Sequence, residues 1–192
     1  MVLKNKLSKI TIFWAAYLII SPIFMRPALN FILEFLGNSG LTIMLWVLFL
    51  FGGCVASSYL YKSHLAGWRI FLFLGIFAAG LFYASQVKIV EERMHLINFG
   101  LLGWLIIKDI SRFKKGIMSI GLSLLFCIFV ATIEETLQLW IPNRVAQIHD
   151  VLLAVMGGVW GISLFFSSHP QYKRCDIFES DYNVVARDRG VF

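Results

Sequence analysis

Residues 116–141 read GIMSIGLSLLFCIFVATIEETLQLWI. From Ile117 to Ile133 the stretch carries no charge. A helix of about 20 apolar residues crosses a hydrocarbon layer of roughly 30 Å. A helix also satisfies its own backbone, which lipid cannot do. The stretch therefore reads as a membrane span, and it ends in two adjacent carboxylates, Glu134 and Glu135.

Similar runs recur on both sides of it. Spans are expected near residues 10–25, 41–60, 67–86, 94–108, 116–141 and 149–167, the fourth being short. The fold class expected is all-α, a polytopic transmembrane helix bundle of about six spans. The 192 residues are 59% hydrophobic, 16% aromatic and only 15% charged, with a mean hydropathy of +0.78. One soluble core cannot bury that much apolar surface. Between the first two spans, Arg26 to Gly40 contains the breakers Pro27, Gly37 and Gly40. Its apolar part, Phe31 to Leu36, is compatible with an interfacial helix or with a plain loop. The first run follows Lys4, Lys6 and Lys9, and no small-residue cleavage site comes after it, so it is expected to be retained as a span.

The net charge of +6 would suggest acidic partners in a soluble protein. Here the basic residues sit between apolar runs, where they report topology. With six spans, one set of loops and termini carries 13 of the 17 Lys and Arg residues and the other set carries 4. Cytoplasmic loops hold the excess, which places both termini in the cytoplasm and the loops after the first, third and fifth spans outside. Residues 168–192 form a short polar tail. Cys54, Cys127 and Cys175 are scattered and suit packing rather than a disulfide framework or a metal. No nucleotide-binding glycine loop, zinc motif or internal repeat is present, so no cofactor and no nucleic acid is expected.

Nearly all ionisable groups near membrane depth fall in two segments on the expected outer side. One runs from Lys88 through Glu91, Glu92 and Arg93 to His95. The other runs from Glu134, Glu135 and Gln138 through Pro142 and Arg144 to His149 and Asp150. A charge facing lipid costs roughly 2.5–3.5 kcal/mol, so these groups should converge on the bundle interior or the interface. Glu134 with Gln138, Glu135 with Gln138, and Glu91 with His95 each share a helix face. A carboxylate beside imidazole can serve as a general base or proton relay, or form a structural ion pair. Arg144, presented after Pro142, suits a phosphate or carboxylate, or an internal partner among Glu134, Glu135 and Asp150. Asp150 opens the last span, where it can complement the helix N-terminus. In that span Gly157 and Gly161 allow close helix packing. His95 and His149 among carboxylates are conceivable metal ligands, but no ligand motif supports a metal.

In these residues the chain resembles the VanZ-like family of bacterial membrane proteins. The family pattern has a span closing near a serine, an acidic-x-x-x-His step, D-E-x-x-Q, an arginine, and an aspartate opening a glycine-containing span. Ser85, Glu91 with His95, Glu134-Glu135-Thr136-Leu137-Gln138, Arg144, Asp150 and Gly157 follow that order, over roughly residues 70–166. The chain departs from it at Glu92, where the family commonly has lysine, at Glu134 for aspartate, and at Ala154 for asparagine.

By this reading residues 1–66 form two additional N-terminal spans, residues 67–167 a four-helix VanZ-like unit, and residues 168–192 the tail. The resemblance implies the bacterial cytoplasmic membrane and the cell envelope, in a family named for a protein linked to resistance to the glycopeptide teicoplanin. The residues expected to act chemically are Glu91, His95, Glu134, Glu135, Gln138 and Asp150. Those expected to hold a ligand are Arg144, Ser85 and His149. The expected partners are membrane lipids, a lipid-linked envelope precursor or envelope-synthesis proteins. The function classes left open are an accessory envelope factor, a membrane enzyme acting on a lipid substrate, and a transporter. Transport is the least expected, because the charges lie near one face and no inverted repeat is evident.

Overall fold

The computed structural model describes residues 7–62, 66–87, 90–114, 116–141 and 147–169, and all regular structure among them is α-helical. The helices are α1 (Lys9–Ile20), α2 (Pro22–Lys62), α3 (Gly67–Gln86), α4 (Val90–Ile110), α5 (Ile117–Gln138) and α6 (Ile148–Ser168). Of the polar tail expected at residues 168–192, Ser168 closes α6 and His169 follows it, and residues 170–192 lie outside the described residues.

Among the described residues, four segments are long and apolar enough to cross a membrane: Ser39–Lys62, Gly67–Gln86, Ile117–Gln138 and Ile148–Ser168. A fifth arises if Lys9–Ile20 and Pro22–Gly37, bent by 53° at Ser21, count as one broken span. The fourth expected span is not among them, and its charge explains why. Glu91, Glu92 and Arg93 precede its apolar stretch, and Lys108 and Asp109 follow it. Residues 94–107 rise only about 21 Å as a helix, short of the hydrocarbon thickness.

Yet α4 is the centre of the molecule. Its Leu96, Phe99, Leu102, Ile106 and Ile107 are buried. It packs most extensively on α6, and also on α5 and α1. The seam with α6 is built of glycine. A Cβ at Gly157 would collide with the Leu96 carbonyl, and one at Gly161 with the Gly100 carbonyl. Glycines at these points let the two backbones touch, as small residues do at close helix crossings. Beside the seam, the indole of Trp160 occupies the space that side chains at Gly80 and Gly100 would fill. Its Nε1 donates to the Ile76 carbonyl at 2.9 Å, tying α6 to α3.

Large apolar side chains face outward along the helices, as at Phe71 (77% exposed), Phe82 and Phe129. Such surfaces suit lipid and not water. Gly37, with φ 66°, breaks α2 into Pro22–Gly37 and the spanning segment Ser39–Lys62. The stretch 26–40, open between helix and loop on sequence grounds, is thus helical on both sides of that break. Helix α1 is fixed at its start and along its length. Ser8 caps it by accepting from the Thr11 N–H. Asp109 Oδ2 accepts from the Ser8 N–H at 2.7 Å and from the Thr11 hydroxyl at 2.6 Å. Trp14 Nε1 donates to the Asn98 carbonyl at 3.1 Å.

Candidate functional site

Chain direction decides which residues meet. Helices α4 and α6 run parallel along the glycine seam, and α5 returns between them. The start of α4, the end of α5 and the start of α6 therefore lie at one end of the bundle. That end collects the polar residues singled out in the sequence.

Glu134, Glu135 and Gln138 are all buried on the inner face of α5. His95, on the second turn of α4, turns Nδ1 toward Glu134 Oε1 at 3.7 Å and stacks on Phe99. Glu135 is held from two sides. Gln138 Nε2 donates to its Oε1 at 2.9 Å, and the Gln147 N–H donates to its Oε2 at 3.0 Å. The second bond occupies a backbone donor at the start of α6, one of the groups a helix N-terminus leaves unsatisfied. Asp150 follows in the first turn of α6. One ligand atom each from His95, Glu135 and Asp150 lies within 4.8 Å of the others. The three residues come from three helices.

The two polar segments thus touch. Of the expected acting residues, His95, Glu134, Glu135, Gln138 and Asp150 sit at this end of the bundle. Glu91 lies in the first turn of α4, but its side chain lies outside the described residues, as does Arg144 entirely. His149 is exposed and faces Glu92 Oε2 at 4.0 Å. Ser85 bonds within its own surroundings at the end of α3, donating to the Phe82 carbonyl at 2.6 Å and accepting from Gln86.

A cleft reaches the site from the α1–α2 junction. It is lined by Leu18, Ser21, Pro22, Met25, Met94, His95, Asn98 and Glu134, and encloses about 30 Å³. That is room for one or two waters. Its walls are mostly apolar, and the imidazole–carboxylate pair forms its polar part. Ser21, Asn98 and the α1–α2 bend were not singled out in the sequence. Asn98 follows His95 by one helical turn, a spacing that was available as a signal.

The fold and site define a helix-bundle protein with membrane-spanning segments and a polar cluster buried between three helices at one end. Residues 41–169 match the VanZ/LLP1 family. The chain belongs to that family, as its ordered set of polar residues implied. The matched region takes in the segment Ser39–Lys62 almost entirely, together with α3 to α6. No curated protein and no solved structure matches the chain.

Proposed function

We propose that this protein is a multi-pass member of the bacterial cytoplasmic membrane that serves the cell envelope as an accessory factor. Its polar end faces outward and receives the head group of an anionic lipid or lipid-linked envelope precursor. The observation that carries this reading is the cleft at the α1–α2 junction. Apolar walls leading to a polar pair suit an amphiphile: its chain lies along Leu18, Met25 and Met94, and, because the cleft holds only one or two waters, its head group rests at the mouth and meets His95 and Glu134 through bridging water. Arg144, between the ends of α5 and α6 in the chain, is assigned to the anionic group, which a guanidinium binds bidentately.

A catalytic form of this reading has one observation in its favour. His95 and Glu134 are close enough for the carboxylate to orient the ring, the arrangement of a general base.

Native mass spectrometry of the gently solubilised protein tests the proposal. Wild type is expected to retain a specific anionic or polyprenyl-type lipid, and Arg144→Ala and Glu134→Gln to lose it. Equal retention of bulk lipid by all three would refute the head-group site.

A further inference from the structure

His95, Glu135 and Asp150 bring one imidazole and two carboxylates from three different helices to one point. We propose that they bind a divalent transition-metal ion, with Zn²⁺ and Mn²⁺ as the fitting ions. The proposal goes beyond the head-group reading, because the ion can bind whether or not a lipid does.

The donor set selects the class of ion. Imidazole favours zinc and the later transition metals, and carboxylates extend the range to manganese. Three protein ligands also leave a position open for water or substrate, as in zinc sites that do chemistry. Ligands about 2.0–2.2 Å from zinc stand roughly 3.4 Å apart in a tetrahedron. The separations, all within 4.8 Å, exceed that spacing by no more than about 1.4 Å.

The surroundings fit the role. The carboxylate of Glu135 is oriented by Gln138 and by the Gln147 N–H. Glu134 stands beside His95 Nδ1. Such neighbours fix the orientation of metal-ligating carboxylates and histidines. Of the three ligands, His95 lines the cleft, which brings water to one side of the site. The glycine seam holds the helices bearing His95 and Asp150 in contact, so the ligands are assembled before an ion arrives. A bound cation would also give an anionic head group a positive partner inside a carboxylate-rich site.

The test uses the full chain in lipid nanodiscs, without a polyhistidine tag, stripped by chelator and then equilibrated with Zn²⁺ or Mn²⁺. Mass spectrometry of the desalted sample should find about one equivalent of metal in wild type. His95→Ala, Glu135→Gln and Asp150→Asn should each bind at least tenfold more weakly. His169→Ala, at the other end of α6, should bind as wild type does. Folding of each variant is checked by its melting curve. Independently of any variant, Mn²⁺ bound to wild type should show electron-spin-echo modulation from an imidazole nitrogen. Uptake below a fifth of an equivalent for both ions would overturn the site. So would undiminished binding in a folded His95→Ala protein, or bound Mn²⁺ without nitrogen modulation. Because no lipid is measured, these outcomes are separate from those of the lipid-retention experiment.

Discussion

Asp109 joins the start of α1 to the end of α4 through the Ser8 N–H and the Thr11 hydroxyl, and Arg112 stands 3.6 Å from its other oxygen. It is buried, at 2% exposure. Removing one partner from buried hydrogen bonds leaves the others unsatisfied, at about 1–3 kcal/mol. Asp109→Ala should therefore lower the denaturation midpoint, with Thr11→Val having a smaller effect. A midpoint unchanged in Asp109→Ala would remove this contact from the account of stability. Nothing in the sequence marked Asp109. It lies between Lys108 and Arg112, in a run that reads as a solvated loop. Glu135 and Gln138 were legible because charged and amide groups inside an apolar run cannot face lipid, and helical spacing gave them one face. Their third partner, the Gln147 N–H, carries no side-chain signal.

Among the elements, α6 depends on its glycines more than on its apolar content. Gly161→Ala would drive a Cβ into the Gly100 carbonyl, whereas a Cβ at Gly121 meets nothing within 4 Å. Overpacking of this kind costs typically 1–3 kcal/mol. Gly161→Ala should accordingly lose folded yield and melt earlier, and Gly121→Ala should match wild type in the same melting experiment. Equal behaviour of the two would contradict a close α4–α6 crossing. The Gly157–Gly161 pair was readable from its spacing. Its receptor on α4, Leu96 and Gly100, was not, because helix pairing leaves no trace in a single periodicity. The same limit applies to α4 itself: its apolar run was readable, but not its central place against α1, α5 and α6.

For the molecule as a whole, the order of apolar runs was enough to give an all-helical membrane bundle. Convergence of the polar groups was legible from the cost of a lipid-facing charge, but not which side chains meet: His95, Glu135 and Asp150 come together because α4 and α6 run parallel. The lopsided distribution of Lys and Arg leads to a further expectation about orientation. After Cys54, Cys127 and Cys175 are replaced by serine, a cysteine at position 144 should react with a membrane-impermeant thiol reagent in intact cells. One at position 114 should react only after lysis. The reverse pattern would turn the site toward the cytoplasm and rule out an outward-facing head-group role.

The charged ends of α4 bear on how the protein is made. Its apolar middle is too short, and its flanks too polar, for efficient partitioning from the translocon as a solitary segment. The helices that enclose it, α5 and α6, are synthesised after it. Stable insertion of α4 therefore waits for the C-terminal half of the chain, so the polar site forms late in biogenesis. In the same cysteine-free background, a chain truncated at residue 115 should leave α4 poorly integrated, so that a cysteine at position 114 reacts with the impermeant thiol reagent in intact cells, and extending synthesis through residue 169 should restore its protection.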